Sequence, residues 1–220
     1  MKDVQLDRRS RRTKRMLKNA FIELMQQKPC YKITVTDIVE QADFNRSTFY
    51  LHYKYKEQLI DDFVTEMIEG LVKAFRYPYQ DSKHLNLYLL SPSDVVLFDY
   101  IKNNATFFSL WKTSDSILGF QEKFVHTMIA LFKEDINLLP KGNDDINNNL
   151  LITFRAYGIL GLIQEWIKSD FSTSPRYMAD QLIKILNYQP LKFYDVKPSK
   201  IDSFEFNFST SSASQNNFLT

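Results

Sequence analysis

The sequence predicts an all-α protein, and three observations support that prediction. Apolar residues recur every three or four positions through most of the chain, as one buried helix face requires. No segment within residues 10–189 shows the alternating pattern of a strand. Only five glycines and seven prolines occur in 220 residues, which favours long helices with sharp ends. Because 44% of the residues are hydrophobic and 15% are aromatic, the helices can enclose a substantial core.

The first two predicted helices lie on either side of Pro29. Residues 10–27 carry one apolar stripe, and proline cannot continue a helix, so the first helix is expected to end before Pro29. Thr34 and Asp37 have the spacing of a capping box, in which each side chain bonds the backbone N–H of the other residue. A second helix is therefore predicted from this box to Ala42.

Two more predicted helices complete the N-terminal part. Residues 43–44 form a turn, and the side-chain oxygen of Asn45 is suited to cap a third helix over residues 46–52. A fourth helix over residues 56–75 has a continuous apolar face and is stopped by Pro78. Two very short helices joined by a tight turn cannot bury a core of their own, but they can present a polar face to a DNA groove. This arrangement predicts a helix-turn-helix.

The rest of the chain is also predicted to be helical. Ser91-Pro92-Ser93-Asp94 and Ser174-Pro175 each offer a serine cap followed by proline at the first helical position. The further helices are expected over residues 91–102, 104–111, 115–135, 145–169 and 174–188, with a loop at 140–143. The run FSTSSASQNNFLT at the C-terminal end is low in charge and rich in Ser and Asn, which is typical of disorder. We therefore expect a head over residues 1–75, a second helical domain over 76–189 and a disordered tail over 190–220.

Positive charge is concentrated at the N-terminus. Residues 1–35 contain ten Lys or Arg and three Asp or Glu, a formal charge of +7, although the whole chain carries only +2. A basic arm over residues 1–12 is suited to neutralising DNA phosphates. The alternative is a solvated, disordered basic tail. The lone Cys30 allows no disulfide within the chain, and no apolar leader or run of about 20 apolar residues is present, so a cytoplasmic protein without membrane contact is expected.

The side chains expected to face DNA lie mainly at the start of the third helix. Arg46 can donate two hydrogen bonds to a guanine, and Ser47 and Thr48 can contact bases or phosphate. The ends of the neighbouring helices offer amides and a lysine that favour an anion. The full predicted set is Thr34, Thr36, Arg46, Ser47, Thr48, Tyr50, His52, Tyr53 and Lys56. The alternatives are packing roles for Tyr50 and Tyr53, a loop-carbonyl contact for His52 and a solvated Arg46.

At these residues the chain resembles the TetR family of transcriptional regulators. The resemblance covers about residues 10–75 and includes ITVTDIVEQA, STFYLHY and KEQLI in fixed order. It implies a three-helix DNA-binding head with the fourth helix as connector, followed by an all-helical domain that dimerises and often binds a small ligand. Two positions depart from the family pattern. Asp43 stands where the turn usually has glycine, and Tyr55 stands where a capping Asn, Asp or Ser usually precedes the helix-four lysine.

The C-terminal half carries a weaker resemblance and two candidate sites. The segments DYIKNNATFFSLW and YGILGLIQEWIKSDFSTSPRYMADQLIKIL resemble a TetR subgroup that includes activators linked to dihydroxyacetone kinase. Aromatic residues at helical spacing suggest an apolar effector pocket formed by Phe98, Phe107, Trp111, Phe124 and Met128. The last two predicted helices suggest a dimer interface formed by Tyr157, Gly158, Gly161, Leu162, Trp166, Leu182 and Ile185. For both sets the alternative is an ordinary intramolecular core.

These features predict a homodimeric, sequence-specific DNA-binding regulator, expected to be a repressor released by a small apolar or amphipathic effector. A two-fold dimer suits a palindromic double-stranded operator. The alternative is a coactivator of the same fold that acts through protein contacts, with DNA binding weakened or lost. No enzyme, metal site or cofactor is expected, because His84 and His126 lack ligand spacing and no nucleophile or phosphate-binding glycine loop is present.

Overall fold

The described part of the chain is helical and contains no strand. The computed structural model describes residues 2–80, 87–112, 119–135 and 146–188, and it groups these residues in a single compact unit. The predicted all-α class is therefore confirmed. The expected tail at 190–220 and the expected loop at 140–143 lie outside the described residues.

Four helices build the N-terminal part: α1 (Lys2–Met25), α2 (Val35–Gln41), α3 (Arg46–Tyr50) and α4 (Lys56–Arg76). Helix α1 begins eight residues before the predicted start, so the predicted basic arm is the first part of a helix. No glycine or proline interrupts residues 2–25, and one continuous helix is therefore sterically possible. Helix α3 ends two residues earlier than predicted.

The predicted caps of the short helices are present. The Thr34 hydroxyl accepts a hydrogen bond from the Asp37 N–H at 3.1 Å, and the Asp37 carboxylate accepts one from the Thr34 N–H at 2.7 Å. The Asn45 side-chain oxygen accepts from the Thr48 N–H at 2.9 Å. Between the two helices, Asp43 has a positive φ of 55°. These contacts fix the angle between α2 and α3 through local chemistry.

Five helices follow in the described C-terminal part: α5 (Leu97–Asn103), α6 (Ala105–Phe108), α7 (Phe120–Asp135), α8 (Asn148–Lys168) and α9 (Pro175–Asn187). The predicted start at Ser91 was wrong, because α5 begins six residues later. The Asp94 carboxylate accepts hydrogen bonds from both the N–H and the hydroxyl of Ser91, each at 2.8 Å. This closed turn satisfies the same groups that would otherwise begin a helix.

Helix α8 is both long and apolar. By length and composition it could cross a membrane, with a mean hydropathy of 1.3 over its most apolar window, so the expectation that no segment approaches a membrane span was too strict. Its composition has a structural reason, because one side of the helix is buried in the core. The buried residues are Ile152, Ala156, Ile159, Leu160, Ile163, Trp166 and Ile167.

Helix α4 connects the head to the C-terminal helices at three places. Phe63 packs edge-to-face on Phe107 of α6, with ring centroids 5.0 Å apart. Gly70 lies directly under the ring of Tyr100 on α5. At the C-terminal end, the Arg76 guanidinium donates two hydrogen bonds to Asp135 of α7, at 2.7 and 3.1 Å. Helix α4 is therefore in direct contact with three of the C-terminal helices.

Candidate nucleic-acid interface

Helix α3 presents a polar surface that is anchored by one aromatic residue. Phe49 is fully buried, whereas Arg46 and Ser47 in the first turn are exposed and Thr48 is half-buried. Tyr50 is half-exposed on the same helix. Because the N-terminal residues of a recognition helix contact base edges, these side chains lie where a reader of the major groove needs them.

The first turn of α3 is organised by a single oxygen. The Asn45 side-chain oxygen accepts hydrogen bonds from the Ser47 hydroxyl at 2.6 Å and from the Thr48 hydroxyl at 2.9 Å, in addition to the Thr48 N–H. Both hydroxyls can still accept hydrogen bonds from DNA bases while they donate to Asn45. Unless these hydroxyls rotate, Ser47 and Thr48 can therefore only accept hydrogen bonds from DNA and cannot donate them.

Arg46 lies over Tyr50, one turn further along α3. The guanidinium carbon is 5.9 Å from the ring centroid, and a guanidinium nitrogen donates to the Tyr50 hydroxyl at 3.3 Å. This contact limits the number of rotamers of a long exposed side chain, so less conformational entropy is lost when Arg46 binds a base. It leaves other N–H groups of the guanidinium available for guanine.

Residues on both sides of α3 complete the candidate surface. Thr34 and Thr36 at the start of α2 are exposed. The Lys56 ammonium at the start of α4 donates to the backbone oxygens of Cys30 and Ile33, each at 2.9 Å, which leaves one of its three N–H groups for phosphate. The residue before it, Tyr55, provides no side-chain cap.

The prediction that Tyr53 contacts DNA was wrong. Its side chain is only 2% exposed, its ring lies 5.7 Å from that of Phe49, and its hydroxyl donates to Asp62 of α4 at 2.7 Å. Burial and this hydrogen bond raise the pKa of Tyr53. The sequence signal that places Tyr53 in the core is its spacing of four residues from Phe49, which puts both rings on one face.

His52 contacts another helix instead of a loop carbonyl. Its Nδ1 lies 3.4 Å from the Ser10 hydroxyl of α1. Partial burial, together with the positive charge of Lys14, lowers the pKa of His52. This shift favours the neutral form of the imidazole over the cation.

A strongly basic cleft lies beside this surface, between α1 and α4. It has a volume of about 550 Å³ and contains six cationic and two acidic side chains. Its lining residues are Arg8, Arg11, Arg12, Lys14, Arg15, Lys18, Asp62 and Glu66. Because the Ser10–His52 contact joins this part of α1 to the end of the recognition unit, the excess positive charge lies next to the candidate DNA surface.

Two exposed apolar residues near this surface were missing from the sequence-based set. Leu51 follows α3 and is 81% exposed, and Tyr31 precedes α2 and is 74% exposed. An apolar or aromatic residue that stays in solvent beside a polar recognition helix is a candidate contact for a thymine methyl or a sugar. Neither position could be found from periodicity, which assigns apolar residues to the core by default.

The five residues predicted to line an effector pocket are packed inside the C-terminal helices. Phe98, Phe107, Phe124 and Met128 are buried, and Trp111 is half-buried. Trp111 contacts both Phe120 and Phe124, at centroid distances of 5.3 and 5.8 Å. The indole N–H of Trp111 is buried without a hydrogen-bond partner among the described residues. The pocket stays a prediction, and the Trp111 N–H is a polar group that an effector could use.

The seven residues predicted to form a dimer interface divide into two groups. Tyr157, Gly158, Gly161 and Ile185 are exposed and Leu162 is half-buried, so these five are available to a partner. Trp166 and Leu182 were wrongly included, because each is less than 10% exposed within the single chain. Trp166 packs on Phe98 at 5.5 Å, and its indole N–H donates to the Thr173 carbonyl at 3.0 Å.

Known protein families match most of the chain in sequence. A family model described as bacterial regulatory proteins of the tetR family matches residues 19–63, and one described as a transcriptional regulator C-terminal region matches residues 90–188. A curated relative, the uncharacterised HTH-type transcriptional regulator YxbF of Bacillus subtilis (strain 168), is 24% identical over 180 residues. That match covers 81% of this chain but only 45% of the relative.

Solved structures share the fold. The dihydroxyacetone kinase operon activator DhaS aligns with a TM-score of 0.54 and 18% identity, over 79% of this chain and 93% of DhaS. A TetR transcriptional regulator from Streptococcus agalactiae 2603V aligns with a TM-score of 0.57 and 21% identity, over 84% and 98% of the two chains. The two family models occupy the head and the C-terminal helices in the expected order. The chain belongs to the TetR family of helix-turn-helix transcriptional regulators.

Proposed function

We propose that this protein is a homodimeric, cytoplasmic regulator that reads a palindromic operator through α3. The observation that supports DNA reading most directly is the first turn of α3, where Arg46 and Ser47 are exposed on a helix held by Phe49 and the Asn45 cap. This arrangement places donors and acceptors at the end of the helix that enters the major groove. The basic cleft beside it supplies sequence-independent attraction to phosphates.

Dimerisation is supported by an exposed apolar face on the last two helices. Leu150, Phe154 and Tyr157 follow one another along α8 at helical spacing, and each is more than half-exposed. Gly158 and Gly161 adjoin them, and a Cβ at either position would meet open space, so a second helix can approach closely. Tyr177 and Ile185 add exposed apolar surface on α9. An exposed patch of this kind is typical of a protein interface.

We further propose that an effector bound among the C-terminal helices changes the spacing of the two heads and releases DNA, so that the protein acts as a repressor. Helix α4 supports this mechanism, because its contacts at Phe107, Tyr100 and Asp135 join it to three C-terminal helices. An effector that favours one packing of these helices shifts the population of head spacings. DhaS is named as an activator, so a reporter strain should be used to test whether this protein represses or activates transcription.

A selection of random DNA duplexes on the purified full-length protein tests the proposal. The wild type should enrich a palindrome whose half-sites lie about 34 Å apart, and Arg46→Ala should lose preference at one base pair of each half-site, with a cost of about 1–3 kcal/mol. Lys133→Ala is the matched control, because it removes an exposed positive charge from α7, far along the chain from the head. If the wild type enriches no site, the operator-reading function is wrong and a role through protein contacts replaces it.

A further inference from the structure

A single carboxylate joins three parts of the head. Asp62 on α4 accepts a hydrogen bond from the Tyr53 hydroxyl at 2.7 Å and lies 3.1 Å from the Lys18 ammonium and 3.5 Å from the Lys14 ammonium of α1. Lys18 also donates to Glu66 at 2.6 Å. The segment after the recognition helix, α1 and α4 therefore meet at Asp62.

The surroundings of this network make its contacts specific. The Lys18 side chain is only 9% exposed, so its ammonium depends on the two carboxylates for compensation. Burial alone would raise the pKa of Asp62, but the hydrogen bonds from Tyr53 and Lys18 outweigh it, and the pKa lies below its ordinary value. Asp62 is therefore ionised at neutral pH and acts as an acceptor for both partners.

Tyr53 carries this contact into the recognition helix. Its N–H donates to the Phe49 carbonyl at 2.9 Å, and its ring packs against the ring of Phe49. Helix α3 has only five residues, and a helix of that length has no independent stability or orientation. Asn45 fixes its first turn, and Tyr53 is the corresponding attachment at its other end.

We propose that Asp62 and Tyr53 are positioning residues for operator recognition: their contact fixes the angle at which α3 is presented to the major groove. Neither residue has to contact DNA. This inference rests on the proposed DNA-reading function and adds to it the residues that orient the reading helix. It also connects α4, which contacts the C-terminal helices, with the end of α3.

Two variants separate positioning from general stability. Tyr53→Phe keeps the buried ring and removes only the hydroxyl, and Asp62→Asn keeps the shape and removes the charge. The control is Asp61→Asn, which makes the same change one residue earlier, where the side chain is 74% exposed and its Oδ1 lies 4.0 Å from the Lys123 ammonium. Because removal of a carboxylate favours non-specific DNA binding, Asp62→Asn should move specific and non-specific affinity in opposite directions.

The measurement is the ratio of operator affinity to non-specific affinity, taken well below the thermal unfolding midpoint of each variant. Tyr53→Phe and Asp62→Asn should each lower the ratio about tenfold, and the double variant should lower it no further than the stronger single one. Asp61→Asn should leave the ratio unchanged. A ratio within twofold of wild type for both single variants overturns the proposal, as does an equal loss in Asp61→Asn.

Amide hydrogen exchange tests the same idea without DNA. Both variants should exchange faster over residues 46–53 than wild type, while α2 keeps its protection. If the wild type reads no operator but this local change occurs, the proposed function fails, whereas the role of the Asp62–Tyr53 contact in holding α3 stands. If exchange over residues 46–53 is unaltered in both variants, the positioning role is overturned even when the operator is found.

Discussion

Asp43 occupies the position after α2 at which the backbone turns left-handed, with a φ of 55°. The Phe44 N–H donates to the Val39 carbonyl at 2.8 Å and the Asp43 N–H to the Glu40 carbonyl at 3.2 Å, the pattern in which helices usually end on glycine. Aspartate tolerates this conformation less well than glycine does. Asp43→Gly should therefore raise the free energy of unfolding by about 0.5–1 kcal/mol, measured by urea denaturation.

The control for this prediction is Asp43→Ala. Alanine also removes the carboxylate but keeps a Cβ, so it should lower the stability because the left-handed region is unfavourable for it. If Asp43→Gly raises the free energy of unfolding and Asp43→Ala lowers it, the backbone conformation at this position, and not the lost charge, is responsible for the change in stability. A stabilisation by both variants would contradict this account.

In the head, hydrogen bonds within one helix cap were predicted correctly from the sequence, and a contact between two helices was not. Thr34, Asp37 and Asn45 were identified correctly because each bonds a backbone group three residues away, and such contacts are encoded locally. Tyr53 was assigned to DNA although its spacing of four residues from Phe49 indicates burial, and its hydrogen bond to Asp62 on another helix could not be predicted. Alternation and spacing describe one element at a time, so a hydrogen bond between elements leaves no local pattern.

At the scale of single elements, the start of α2 should respond to acid. The hydrogen bonds from Lys28 and from Thr34 lower the pKa of Asp37 to about 2. A carboxylate whose pKa is lowered in the folded protein stabilises the fold fully at pH values above its ordinary pKa of 3.8. That contribution to stability is lost as the pH falls toward 2. Asp37→Asn should therefore show a smaller loss of stability than wild type between pH 4 and pH 2.5.

Urea midpoints at closely spaced pH values measure this difference. Glu40→Gln is the control, because Glu40 is an exposed acid of the same helix and its substitution should leave the wild-type slope in place. If stability falls equally with pH in wild type and Asp37→Asn, the Asp37 carboxylate does not stabilise the fold through the capping box and its 2.8 Å ion pair with Lys28.

The contact between α4 and α5 depends on the absence of a side chain at Gly70. A Cβ built there would overlap the ring and hydroxyl of Tyr100, whose O–H donates to the Met67 carbonyl at 3.0 Å. Gly70→Ala should force the two helices apart and lower the stability by about 1–3 kcal/mol, despite the higher helix propensity of alanine. In a Tyr100→Ala background the same change should be neutral or stabilising, which thermal unfolding of the four proteins would reveal.

Element boundaries show a second limit of sequence reasoning. The serine cap followed by proline correctly predicted the start of α9. The Ser174 hydroxyl accepts a hydrogen bond from the Tyr177 N–H at 3.2 Å. The same signal at Ser91 failed, because Asp94 closes a local turn with Ser91 and the helix begins only at Leu97. The N-terminal extension of α1 to Lys2 was missed because a highly charged segment has no apolar stripe to mark it.

For the whole molecule, sequence periodicity identified which helices carry apolar faces but not which faces stay exposed. Trp166 and Tyr157 lie nine residues apart and therefore on opposite sides of α8, and the first is 2% and the second 58% exposed. Only the packing of the other helices decides between them. The exposed stripe that results is continuous: Leu150, Phe154, Tyr157 and Gly161 are spaced to lie along one side of α8.

This stripe gives the last prediction, which concerns assembly. A stable dimer needs roughly 800 Å² of buried surface on each partner, and the stripe with the exposed residues of α9 is the apolar surface suited to provide it. Phe154, at 74% exposure, lies near the middle of the stripe. Phe154→Glu would bury two carboxylates in the two-fold interface and should convert the dimer to monomers with little loss of monomer stability.

Sedimentation equilibrium of wild type, Phe154→Glu and Leu89→Glu checks the assembly directly. Leu89 is 80% exposed but lies outside α8 and α9, so the same substitution there should leave the dimer intact. The monomeric variant should bind an isolated half-site as wild type does, because α3 is unchanged, but lose most of its affinity for the full palindrome, since two linked heads bind far more tightly than one. A Phe154→Glu protein that stays dimeric would place the interface elsewhere. A monomer that still binds the palindrome like wild type would show that dimerisation does not supply the affinity.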